Sequence, residues 1–166
     1  MAPMFVPGPV DVAPEVLAAQ AKPMMPHRSK DFEAIFRRTE EKLEKVFYTQ
    51  YRVFQATASG SGMQEAGIRN FVQETVLSCT NGAFADRWYS VAISNGKKAD
   101  KLDVPWGQVI TPDMLAEALK QKHYEAVTIV HNETSTGAVN PVKELSAVVH
   151  DISPDTLVLV DAVSSL

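Results

Sequence analysis

The chain has 166 residues, 45% hydrophobic and 22% charged, with a formal net charge of −4. This composition supports one core of ordinary domain size, argues against disorder and leaves no basic footprint for nucleic acid. The single cysteine, Cys79, excludes an internal disulfide and fits a reducing cytosol; no apolar run of about 18 residues is present to span a membrane, and residues 1–12 do not read as a secretory signal.

In chain order, Pro7-Gly8-Pro9 through Pro26 carries most of the prolines and reads as an irregular arm with one short helix, Pro14 to Gln20. Ser29 caps a longer helix in which Phe32, Ile35, Phe36, Leu43, Val46 and Phe47 recur at helical spacing. Val53 to Thr57 is a short strand candidate. Ala58-Ser59-Gly60-Ser61-Gly62 follows, then a helix from Met63 to about Val72. Thr75 to Thr80 reads as a strand closed by the turn signal Asn81-Gly82. A helix from Asp86 stops at Asn95-Gly96. Thr111-Pro112-Asp113 starts another, with Met114, Leu115, Ala118 and Leu119 as its apolar stripe. Val127 to Val130 is an apolar strand, Asn140-Pro141 opens a helix, and Thr156 to Val160 is the last strand, followed by Asp161.

Strands alternate with helices, and the later strands are apolar throughout. The expected fold class is therefore α/β, a mostly parallel sheet with helices on both faces. In such sheets ligands bind beyond the carboxyl ends of the strands. Ser59-Gly60-Ser61, the stretch Glu133-Thr134-Ser135-Thr136-Gly137, and Asp161 all fall there.

A small-residue loop between strand and helix lets backbone N–H groups and hydroxyls approach a phosphate. Glu65 occupies the place of the third glycine of a dinucleotide fingerprint, and no P-loop lysine is present. The alternative is a tight turn without a ligand. Asp161 could face a cationic ring nitrogen, a metal or a ribose, or simply cap a helix. Thr134, Ser135 and Thr136 offer hydroxyls or ordinary turn chemistry. Phe84 could stack on a flat ring or belong to the core. His131 reads as a packed histidine rather than a base, and His27-Arg28 as either an anion contact or a solvated stretch. Together, a phosphate loop, a stacking aromatic, hydroxyls and a strand-end carboxylate are the parts that hold a phosphorylated pyridine ring.

Six ordered stretches resemble the class V aminotransferases, the fold-type I pyridoxal 5'-phosphate (PLP) group that includes alanine–glyoxylate and serine–pyruvate aminotransferases. They are Pro7-Gly8-Pro9 with Val12-Ala13-Pro14-Glu15-Val16, His27-Arg28-Ser29 with Phe32, Ser59-Gly60-Ser61-Gly62 with Glu65-Ala66, Asn81-Gly82-Ala83-Phe84 with Arg87, His131 through Gly137, and Val160 through Ser165. The resemblance implies that Ser59, Gly60 and Ser61 bind the cofactor phosphate and that Phe84 stacks on the ring. It implies that Thr134 bonds the phenolic oxygen, that Asp161 acts as the catalytic partner of the ring nitrogen, and that Pro7, Gly8 and Pro9 border the substrate pocket. No metal is implied. Ser61 stands where threonine is commoner, Gln64 where methionine is usual, read as a packing change, and Ala85 where glycine is usual.

The resemblance also places a Schiff-base lysine and a small domain with a substrate-binding arginine beyond Val160 to Ser165. Lys97, Lys98, Lys120, Lys122 and Lys143 lie in the wrong context to replace that lysine. The expectation is an N-terminal portion, residues 1–30 an arm and 31–166 a partial PLP-binding large domain, inactive by itself. The complete protein would be a cytoplasmic homodimer acting on a small amino acid and a 2-oxo acid, with no nucleic-acid or membrane partner. The alternatives are phosphoserine aminotransferase or another class V activity, a non-catalytic cofactor-binding or dimerisation remnant, and, more weakly, a nucleotide-binding domain.

Overall fold

The computed structural model describes residues 3–6 and 8–166. They form two compact units, Met1–Thr57 and Ala58–Leu166.

The first unit holds α1 (Pro14–Gln20), with proline in its first turn, and α2 (Lys30–Val46). Ser29 caps α2 as expected, its Oγ accepting from the Phe32 N–H at 3.2 Å. No residue of α2 is buried: Ile35 and Phe36 remain 38% and 41% exposed, so the apolar stripe seen in the sequence does not enter a core. The strand expected at Val53 to Thr57 is absent; this segment pairs with no strand. Strand propensity measures fit to a neighbouring ladder, and no ladder partner meets these residues.

The second unit contains α3 (Gly60–Phe71), β1 (Thr75–Thr80), α4 (Ala83–Ser94), β2 (Lys98–Asp103), α5 (Pro112–Gln121), β3 (Ala126–Val130), β4 (Asn132–Glu133), β5 (Ala138–Val139), α6 (Val142–Ile152) and β6 (Leu157–Asp161). Four strands make a parallel sheet in the order β2-β1-β3-β6, while β4 and β5 form a small antiparallel pair. Side-chain alternation along β1 divides the core. Leu77 and Cys79 join Val127 and Ile129 against Leu115 and Leu119 of α5 and Leu145 and Val149 of α6. Val76 joins Ala126 and Val130 against Ile68 of α3 and Ala85, Trp88 and Ala92 of α4. Helices therefore cover both sheet faces, as the apolar strands require. Among the described residues no helix is long and apolar enough to cross a membrane.

Two helices start earlier than expected and one strand was not expected. Helix α4 begins at Ala83, not Asp86, and α3 begins at Gly60, not Met63. Strand β2, Lys-Ala-Asp-Lys-Leu-Asp, went unread because it is a charged edge strand with only Ala99 and Leu102 half-buried. Asn140 ties the sheet's carboxyl end to the next connection. Its Nδ2 donates to the Val130 carbonyl at 2.8 Å, and its Oδ1 accepts from the Ile110 N–H at 2.9 Å and from Asn81 Nδ2 at 3.3 Å.

The opposite end is pinned by Glu125. Its Oε2 accepts from the N–H groups of Gln73 and Glu74 at 2.7 Å each and of Thr75 at 3.2 Å. The Glu74 N–H above all, with those of Thr75 and Gln73 and the Lys97 charge, holds this carboxyl below the ordinary glutamate range against a smaller desolvation effect. A depressed folded-state pKa contributes stability that is present above the unfolded value and lost as pH falls through the folded value. Glu125→Gln is therefore expected to lower the urea midpoint at pH 7 but not in acid strong enough to protonate the parent's carboxyl. An equal gap at both pH values would rule this out.

Candidate functional site

Three segments converge at the carboxyl end of the sheet within the second unit. The first is the start of α3. Ser59 is its N-cap, with Oγ accepting from the Gly62 N–H at 3.2 Å and the carbonyl accepting from the Met63 N–H at 3.1 Å. The N–H groups of Gly60 and Ser61 have no partner among the described residues. Two backbone donors, two serine hydroxyls and the positive end of a helix thus share one turn. Arg87 adds a full charge, its Nη1 donating to Ser61 Oγ at 3.0 Å. No carboxylate pairs with Arg87 among the described residues.

The second segment is the start of α4, where Phe84 lies in the first turn and is half-buried. No local side chain caps this helix. Glu133, fully buried, does so from the β4–β5 hairpin. Its Oε2 accepts from the Phe84 and Ala85 N–H groups at 3.1 and 2.9 Å, and its Oε1 from the Ser135 N–H and hydroxyl at 3.2 and 2.7 Å. Ser135 Oγ also accepts from the Ala83 N–H at 3.0 Å. An anion at a helix N-terminus is favoured by the orphan donors and the dipole together. Gly82 permits this approach: a Cβ there would lie 2.3 Å from Glu133 Cγ. The Arg87 guanidinium sits 5.1 Å from the Phe84 ring centroid, so the phosphate-loop candidate and the aromatic are linked.

The third segment is the end of β6. Asp161 is partly buried; its Oδ2 accepts from Gln64 Nε2 at 2.8 Å and its Oδ1 from the Val163 N–H at 3.1 Å. Gln64 is 3% exposed and its Oε1 has no partner. The packing role expected of Gln64 is thus too narrow: it spans from α3 to the strand-end carboxylate. Both line a cavity of about 340 Å³ between α3 and β6, with Gly60, Met63, Trp88 and Val163. Thr134 Oγ1 lies 2.8 Å from Ser164 Oγ, which also receives Asn132 Nδ2 at 2.9 Å, so the hairpin is fastened to the segment after β6.

Ser59, Gly60, Ser61, Phe84, Thr134 and Asp161 all belong to this unit. The sequence does not mark Glu133 and Ser135 as helix caps, gives Arg87 no role beyond its place in a motif, and gives Gln64 only a packing role. His131 is held through its backbone, its N–H donating to the Asp161 carbonyl at 2.8 Å and its carbonyl accepting from Asn140. Pro7 lies outside the described residues, and Gly8 and Pro9 belong to the first unit. There, His27 lines a larger cleft of about 650 Å³ with Phe32, Phe36 and the Glu40–Arg52 ion pair. That cleft belongs to the first unit, which holds none of the strand-end groups, and its size alone does not make it the site.

Fold and strand-end groups together define a parallel α/β unit that brings a helix-start turn with two free N–H groups, an aromatic and a carboxylate to the carboxyl end of its sheet. The family model for Aminotransferase class-V matches residues 14–166. The chain is 43% identical over 98% of its length to an uncharacterized aminotransferase of Methanocaldococcus jannaschii, covering 43% of that protein. It is 32% identical over 98% of its length to the serine–glyoxylate aminotransferase of Methylorubrum extorquens, covering 42% of it. The solved alanine–glyoxylate aminotransferase of Nostoc sp. superposes on the whole chain at a TM-score of 0.90 and 30% identity, with 46% of that structure covered. The chain belongs to the class V aminotransferase family, a fold-type I group whose cofactor is PLP. It spans less than half the length of these relatives.

Proposed function

We propose that this chain is the cofactor-cradling part of a PLP-dependent aminotransferase that moves an amino group from a small amino acid, alanine or serine, to glyoxylate or pyruvate. The observation that carries this reading is the convergence of an anion-binding turn, an aromatic and a carboxylate within one unit. The free Gly60 and Ser61 N–H groups, the Ser59 and Ser61 hydroxyls and the Arg87 guanidinium suit a phosphate. Phe84 suits the ring face, and Thr134 a ring oxygen. Asp161 has amide donors on both oxygens and no cationic partner among the described residues, which suits a protonated ring nitrogen. The bound cofactor would supply the electron sink for amino transfer.

In this reading residues 1–30 form an arm in which Pro7, Gly8 and Pro9 border the substrate, and residues 31–166 contribute to the large domain of a cytoplasmic homodimer. The lysines of β2 and α5 are tied elsewhere: Lys98 to Glu74, Lys101 to Asp86, Lys120 to Glu117. Lys97 bonds the Gln73 carbonyl and Lys122 bonds Asp100. The 166-residue chain by itself is therefore expected to hold PLP without covalent attachment and without turning over alanine and glyoxylate. An absorbance spectrum after PLP loading and desalting, then borohydride treatment, tests this. A retained aldehyde band that borohydride does not fix to protein supports the reading. A fixed adduct, or no retained band, overturns it for this chain.

A further inference from the structure

The Gln64–Asp161 contact joins two residues 97 positions apart. Gln64 is 3% exposed, far from the surface where glutamine is ordinarily tolerated. Its amide is oriented by chemistry: a carboxylate accepts only, so Nε2 must face Asp161 and Oε1 must face away. Oε1 is then left buried without a partner. A methionine of similar length would fill the space without burying an unsatisfied acceptor. Packing alone therefore does not account for glutamine.

Its effect on Asp161 does. The Val163 N–H fixes one carboxylate oxygen at 3.1 Å, from two residues along the chain. Gln64 fixes the other at 2.8 Å, from a buried helix position. With a donor on each oxygen the carboxylate cannot rotate about its Cβ–Cγ bond without losing both. The donor is neutral, so the negative charge is oriented but not cancelled, as a lysine or arginine would cancel it.

Resting on the PLP reading above, we propose that Gln64 is a positioning residue that holds the Asp161 carboxylate in line for the cofactor's ring nitrogen. Its contribution is specific to that nitrogen and passes through Asp161. The test measures binding of three probes to the full chain: PLP, the same phosphorylated aldehyde with the ring nitrogen replaced by CH, and inorganic phosphate. The proteins are the parent, Gln64→Met, Gln64→Leu, Asp161→Asn and the Gln64→Met/Asp161→Asn double variant. Melting curves for each confirm folding, and the leucine variant serves if the methionine one does not fold. Expected is a loss of about tenfold in PLP affinity on replacing Gln64, the loss of one hydrogen bond to a charged group. The analogue and phosphate keep their affinities, and the double variant binds PLP no more weakly than Asp161→Asn. An equal loss for all three probes, an additive loss in the double variant, or no loss at all would overturn the inference while leaving the PLP reading intact. A parent chain that binds phosphate but not PLP would overturn both.

Discussion

Glu133→Ala is expected to be the most destabilising single truncation in the second unit, lowering unfolding free energy by about 3 kcal/mol or more. The carboxylate is fully buried and accepts from the Phe84, Ala85 and Ser135 N–H groups and the Ser135 hydroxyl. Alanine removes all four acceptor contacts and leaves the Phe84 and Ala85 N–H groups without this partner, the second of them buried. Each net hydrogen bond to a charged group contributes about 1.5–3 kcal/mol, and neighbouring contacts do not add in full. Urea denaturation at neutral pH measures the change. Glu133→Gln should recover part of it, since one amide oxygen still accepts while the amide nitrogen opposes a donor. If Glu133→Ala costs less than about 1 kcal/mol, the hairpin is not what holds the start of α4.

This cap also shows why part of the molecule was legible in the sequence and part was not. Ser29 and Thr111 were readable as helix starts because each bonds an N–H three residues on, inside a local window. Helix α4 was placed three residues late because its cap comes from Glu133, roughly fifty positions away. Strand β3 was legible as a short apolar run buried from both faces, and β1 by the Asn81-Gly82 turn that closes it. Strand β2 was not, since the charges that protect a sheet edge from pairing also erase the hydrophobic signal. Val53 to Thr57 erred the other way, with strand-forming side chains but no partner strand. For the candidate site, small and hydroxyl residues before a helix pointed to Ser59 and Ser61, an aromatic after a turn to Phe84, and strand-end groups to Thr134 and Asp161. Gln64 and Arg87 carry meaning only through contacts the linear order conceals, to Asp161 and to Ser61.

Asp161→Asn is expected to cost about a hundredfold in PLP affinity, about 2.7 kcal/mol, while changing stability by less than about 1 kcal/mol. The two effects separate because the folded chain and the ligand use different properties of the group. Folding uses it as an acceptor: the Gln64 amide and the Val163 N–H bond its oxygens, and its backbone carbonyl takes the His131 N–H. Asparagine is isosteric, keeps the backbone contact and one side-chain acceptor, and sits where the residue is only partly buried. A cationic ring nitrogen uses the charge, and asparagine has none. Ligand titration and chemical denaturation of the same preparations measure both quantities. Parallel losses would mean that Asp161 is a structural strand-end cap, the reading its position also allowed. A loss confined to PLP, and absent for the analogue without a ring nitrogen, would assign the carboxylate to the cofactor. Gln64 and Arg87 would then follow as the neutral and charged supports at the two ends of that ligand.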